Sequence, residues 1–422
     1  MKPITPGACR VMLAAIALAI ATLAIPEAAT ADTSYGYGDI DIFLGNSGGV
    51  SNTANVMILL DNSANWARNS QGWTDPNTGA AINQGQAEVE AIQSVITYLE
   101  KQGQAVNIGL AMLSPYYLNG ISTGGGYIRF AARNMAYSVT DSSGNVTYPN
   151  ATALSAILTH IYNYTNGGGQ QDEECCGMSH KDETAAFYEL YKYFSGLTPF
   201  TGIYPQNPWV DLSGNLTAEG VTAADQGLTS GFALLSAGSN YQSPINSSQP
   251  CTNNYIIYIA NNSYGQVGST ENVYESSVVP PLTALPATST LKNGDSWLDE
   301  WTRFLYQNGA VVPAGNNNGS IVTYVLDAYN SQNDPGYSAS LKAAAIQGGG
   351  RYYQVGNTLA VYNAVVNILS QIEAVNSTFA SASLPVSSTN RAENDNQVFI
   401  PMFRPDPKDQ PRWMGNLKEY QL

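Results

Sequence analysis

Two oxygen-bearing side chains, two residues apart, carry the first chemical signal in this chain. The apolar run Asn55-Val-Met-Ile-Leu-Leu60 has the length of a strand and ends on Asp61-Asn62-Ser63-Ala64-Asn65. Hard cations such as Mg2+ and Ca2+ take oxygen ligands that converge from several loops. Open α/β sheets bind their ligands just outside the carboxyl ends of the strands. A carboxylate, Asp61, and a hydroxyl, Ser63, at such an end can face one ion. The competing reading is structural, with Asp61 capping a turn or a helix.

Other chemistries find fewer residues to work with. The chain has only 2 histidines, His160 and His180. No Gly-x-Ser-x-Gly stands in a strand-turn-helix setting beside them, and no partners for a catalytic histidine are visible, so the chain is expected not to be an enzyme. His180 falls in Ser179-His-Lys-Asp-Glu183, which reads as a solvated acidic loop, as does Asp172-Glu173-Glu174. Cys175 and Cys176 lack the Cys-x-x-Cys spacing of a zinc site. Phosphate-binding Gly-x-x-x-x-Gly-Lys-Ser/Thr is absent, and the glycine runs at 124–126 and 167–169 read as loops.

The elements that would position Asp61 alternate along the chain. After the first strand, a helical pattern covers 86–102, with Val89, Ile92, Ile96 and Leu99 on one face. A second apolar strand spans 106–113, and 127–131 reads as a short edge strand. Residues 135–149, with Asp141-Ser-Ser-Gly-Asn145 at their centre, read as a hairpin insertion. Helices are expected at 151–164, 184–194, 296–307, 338–346 and 359–372, and strands at 255–260, 321–326 and 352–355. Strands alternating with amphipathic helices predict an α/β fold, a doubly wound and mostly parallel sheet covered on both faces. Tyr188, Tyr191 and Tyr193 invite an adhesive reading, but the helical spacing of 188 and 191 favours core.

Composition bounds the rest. Hydrophobic residues make up 44% of the 422, which is enough for a sizeable core, and only 12% are charged. The 32 acids against 17 bases give −15, a balance that repels phosphate backbones and argues against nucleic acid as a partner. Residues 1–31 read as a secretory signal peptide: Lys2 and Arg10, an apolar stretch over 11–25, then Ala29-Thr-Ala31 at cleavage spacing. That stretch falls short of the about 20 residues of a comfortable transmembrane helix. No second one follows, so no membrane span is expected after cleavage. In an oxidising compartment Cys251 is expected to pair with Cys175 or Cys176, closing a loop of about 75 residues and leaving one thiol over. Residues 32–54 read as a lead-in and 55–380 as the α/β domain. From 381 a polar, Pro-containing linker leads to two strands, 397–403 and 413–422, joined by a Pro-rich turn; two strands make no stable sheet alone.

These residues resemble a known family. Asp61-Asn62-Ser63-Ala64-Asn65 is similar to the Asp-x-Ser-x-Ser motif of von Willebrand factor A domains, which implies a von Willebrand factor A-like, Rossmann-type sheet with a metal-ion-dependent adhesion site for Mg2+ or Ca2+. On that resemblance Asn65 replaces the second hydroxyl and Thr184, opening its helix, matches the family's threonine. Asn261, in Ile259-Ala-Asn-Asn262, replaces the family's aspartate, so one negative charge is missing. Longer stretches resemble the PilY family of type IV pilus tip adhesins: 56–63, 184–196, 251–259, 344–355 and 379–385. Phe403-Arg-Pro and Arg412-Trp-Met-Gly-Asn-Leu-Lys418 complete the set and look like the entry to that family's β-propeller, truncated here. The resemblance implies an exported binding or adhesion module in the periplasm, at the cell surface or at a pilus tip. Its implied partners are minor pilins or tip components and a host or abiotic surface ligand. The alternative is a structural cap or spacer that binds no metal.

Overall fold

The computed structural model describes residues 53–63, 65–68, 71–76, 78–113, 125–165, 183–200, 209–216, 221–245, 253–262, 296–310, 320–331, 333–376, 379–380, 397–404 and 414–421. The signal peptide, most of the lead-in, the linker, His180 and all the cysteines lie outside the described residues.

The chain begins with β1 (Ala54–Leu60), a short hairpin of β2 (Trp73–Thr74) and β3 (Ala81–Ile82), and helix α1 (Gln84–Gln102). Strands β4 (Val106–Leu113) and β5 (Gly126–Asn134) follow, then the hairpin β6 (Val139–Thr140) and β7 (Val146–Thr147). Next come α2 (Pro149–Thr165), α3 (Glu183–Phe194), β8 (Asn254–Asn261) and α4 (Leu298–Asn308). The domain closes with β9 (Ile321–Ala328), α5 (Pro335–Gln347), β10 (Gly349–Val355) and α6 (Thr358–Asn376).

Six strands form one sheet in the order β10-β9-β8-β1-β4-β5. All neighbours are parallel except β5, which runs antiparallel on β4 at the edge. The helices fall into two packing groups, α1 with α2 and α6, and α4 with α3 and α5. They cover the two faces, so β1 and β8 are buried along their whole length, which is why both read as unbroken apolar runs. This is the α/β, doubly wound, mostly parallel sheet that the sequence predicts. Its strand order reverses between β1 and β8, the crevice where such folds bind ligands.

Local sequence explains the entry to α1. Asn83 caps the helix by accepting from the Gln86 amide at 2.7 Å while the Gln86 side chain accepts from the Asn83 amide at 3.3 Å, a reciprocal capping box. At C′, Gly103 takes φ 64°, the left-handed conformation that ends helices. Gly85 is required by packing: a Cβ there would lie 2.8 Å from the Trp66 ring. Trp66 in turn donates its indole N–H to Glu88 at 2.7 Å, which ties the loop after β1 to the start of α1.

Three departures from the sequence reading have physical causes. The edge strand β5 is longer than expected, nine residues against five, because α3 and the segment around 209–234 cover it. Residues Phe379–Ala380 form β11, which pairs with β12 (Gln397–Arg404), itself paired with β13 (Met414–Gln421). The carboxy-terminal strands thus form a three-stranded antiparallel sheet rather than a lone hairpin. Glu183, read as part of a solvated loop, opens α3 with no exposed surface. Tyr188, Tyr191 and Tyr193 are core, only 4%, 5% and 1% exposed, as the helical spacing of 188 and 191 indicates.

Candidate cation site

The end of β1 is held to the end of β8 by the Asp61 amide, which donates to the Ile259 carbonyl at 3.0 Å and extends the ladder one residue. This orients the Asp61 carboxylate across the switch point. Its Oδ1 accepts from the Ser63 amide at 3.0 Å and from the Ser63 hydroxyl. Oδ2 accepts from the Asn261 amide at 3.1 Å and lies 3.4 Å from the Tyr258 hydroxyl. Asp61 and Asn261 are wholly buried, Ser63 and Asn65 nearly so.

Asn261 acts as a clamp. Its Nδ2 donates to the Ser63 carbonyl at 2.6 Å and to Oδ1 of Asn65 at 3.0 Å. Its Oδ1 accepts from Asn330 at 3.1 Å, and Asn330 also reaches Gln84 at 2.7 Å. Two of the five expected ligand residues, Asn65 and Asn261, therefore hydrogen-bond one another.

Thr184 lies in the first turn of α3. Its hydroxyl is fully buried and has no hydrogen-bond partner among the described residues, an arrangement that carries a desolvation cost of about 1–3 kcal/mol. Beside it, Glu183 shares a donor with Asp61: the Tyr258 hydroxyl lies 3.1 Å from Glu183 Oε2. Tyr337 also donates to Glu183 Oε2, and Ser296 reaches Oε1 at 3.4 Å. Burial first, then the carboxylate charge of Glu183, pushes the Tyr258 and Tyr337 hydroxyls well above the usual phenol range. Both stay protonated and act as donors.

The residues present fit a hard cation in part. Asp61, Ser63 and Thr184 offer a carboxylate and two hydroxyls, and an orphaned buried hydroxyl is a group that an ion would satisfy. No cluster of three or more His, Cys, Asp or Glu able to hold a metal forms among the described residues, so an ion here would depend on hydroxyl and amide oxygens. The sequence reading missed Glu183, Tyr258 and Tyr337. The position of Glu183, next to Thr184 in the first turn of a helix, was the one available signal.

A second polar cluster lies one strand over and is closed on itself. Asp327, at the end of β9, accepts from Asn262 at 2.8 Å, Ser338 at 2.6 Å and Tyr352 at 2.5 Å. Asn262 Oδ1 accepts from the Asp334 amide at 2.7 Å, fixing the start of α5.

No family model matches the chain, and no curated protein does. Solved structures are similar at low identity. BatB, a conserved hypothetical protein of Bacteroides thetaiotaomicron, is 10% identical, with 76% of this chain and 98% of that one covered and a TM-score of 0.36. The PilB minor pilin of Streptococcus sanguinis is 12% identical, with 76% and 62% covered and a TM-score of 0.33. A von Willebrand factor type A structure from Catenulispora acidiphila is 6% identical, with 87% and 66% covered and a TM-score of 0.32. At such scores the fold class rests on the sheet topology itself. Among the described residues no helix is long and apolar enough to cross a membrane.

Proposed function

We propose that this chain is an exported, non-enzymatic binding module of the von Willebrand factor A type, whose sheet end carries a degenerate metal-ion-dependent adhesion site. Asp61, Ser63 and Thr184 would hold Mg2+ or Ca2+, with the amides of Asn65 and Asn261 shaping the loop. The bound ion would supply a Lewis-acidic position for an oxygen of the ligand. The observation that carries this reading is Thr184: a buried hydroxyl without a partner among the described residues, on the residue that follows the carboxylate sharing Tyr258 with Asp61. The resemblance of 403–405 and 412–418 to the PilY family extends the proposal to assembly or surface attachment at a type IV pilus. Minor pilins or tip components and a host or abiotic surface ligand would be the partners.

Calorimetric titration of the metal-free chain with Ca2+ and then Mg2+ tests it, with Asp61→Ala as control. Heat that vanishes in the variant is the expected result. A second reading, a rigid cap or spacer without metal, is favoured by the Asn65–Asn261 hydrogen bond, which commits two of the five groups to each other. Absence of heat in both proteins, with pili lost when the domain is deleted, would establish it.

A further inference from the structure

Resting on that cation site, we infer that Glu183 supplies its second negative charge, in place of the carboxylate missing at Asn261. Three observations converge. Tyr258 places its hydroxyl 3.1 Å from Glu183 Oε2 and 3.4 Å from Asp61 Oδ2, so the two carboxylates meet on one phenol oxygen. Glu183 is fully buried and precedes Thr184, whose hydroxyl has no partner among the described residues. Asn261 is occupied as a clamp, through its amide N–H on Asp61 and its side chain on Ser63, Asn65 and Asn330. Position 261 thus holds the loop, while the charge sits on the neighbouring helix.

The chemistry follows from burial. Two carboxylates close together in a dry site repel each other, and a divalent ion between them converts that repulsion into attraction. The donors Tyr258, Tyr337 and Ser296 orient Glu183. Two carboxylates with two hydroxyls and completing water make an all-oxygen donor set of the kind hard divalent cations take.

The test is calorimetric titration of the full exported chain with MgCl2 and MnCl2. Wild type, Asp61→Ala and Glu183→Gln are compared. Glu183→Gln should weaken binding tenfold or more. Binding lost in Asp61→Ala but unchanged within twofold in Glu183→Gln overturns the role of Glu183 and leaves the site standing. No binding by wild type overturns the site itself. If Glu183→Gln fails to fold, Mn2+-soaked wild-type crystals decide. An anomalous peak within direct or one-water reach of Glu183 supports the role, and a peak on Asp61 beyond that reach overturns it.

Discussion

Two buried aspartates in this domain have opposite surroundings. Asp211 meets Arg133 with both oxygens, at 2.6 and 3.1 Å, and also accepts from the Ala131 amide at 2.6 Å. Arg133 lies over the Phe130 ring, 4.3 Å from its centroid, and Arg129 beside it donates to the carbonyls of Trp209 and Val221 at 3.3 and 3.0 Å. The charges pair there within the fold, and the cluster fastens Trp209, Asp211 and Val221 onto β5. Asp61 accepts instead from Ser63, Asn261 and Tyr258, and the Tyr258 hydroxyl also reaches the Glu183 carboxylate. A carboxylate neutralised by a bidentate arginine serves the scaffold. One approached by hydroxyl and amide donors is the group on which the proposed cation site rests.

The largest effect should come from the Arg133–Asp211 pair. Arg133→Met strips the buried Asp211 of its counter-charge, and the loss should be about 3–5 kcal/mol, read by urea denaturation. The midpoint should fall while any cation affinity of the folded fraction stays as in wild type. A loss below about 1 kcal/mol would erase the contrast between the two aspartates.

Thr184→Val sharpens the other side. Replacing a buried hydroxyl that has no partner among the described residues with a methyl should leave metal-free stability unchanged or raise it by up to about 1 kcal/mol. Cation affinity should drop about tenfold, or about 1.4 kcal/mol, in the same titration. Equal affinity in the two proteins would make Thr184 a packing residue.

The smallest effect concerns pH. Burial, and then the Arg129 charge, lowers His160 from 6.5 to about 4; its ring lies tilted against Trp209, with centroids 4.9 Å apart. The unfolded chain takes a proton there before the native protein does. His160 therefore contributes full stability above pH 6.5, and that contribution falls as pH drops towards 4. Glu373 works in reverse. Burial pushes it up from 4.5 to about 7, so its contribution is greatest in acid and is lost as pH rises through 7. Melting temperatures over this range should show a weaker acid-side decline in His160→Phe than in wild type. An unchanged profile would mean that His160 does not stay neutral in the fold.

Much of the scaffold was legible because periodicity is a local property. The apolar runs at β1, β4, β8 and β9 announce two-sided burial, and 188 and 191 sit one helical turn apart and are core. Ser63 beside Asp61 was legible from spacing. Glu183 was not, because a carboxylate in an acidic stretch has the composition of a solvated loop, and only the packing of α3 buries it. The Arg133–Asp211 pair spans 78 residues, and no local pattern announces a partner that distant.

The sequence by itself determined the element types and their alternation, and with them a doubly wound sheet whose strand ends could host a cation. It also determined the residue chemistry at Asp61, Ser63 and Thr184, since a carboxylate or hydroxyl is fixed by residue type alone. Only the tertiary structure decided that Asn261 clamps the loop and that Glu183 joins Asp61 on one tyrosine. Which groups share a donor depends on contacts between segments more than 70 residues apart in the chain, as Glu183 and Tyr258 are, and such contacts are settled by how the sheet and helices pack.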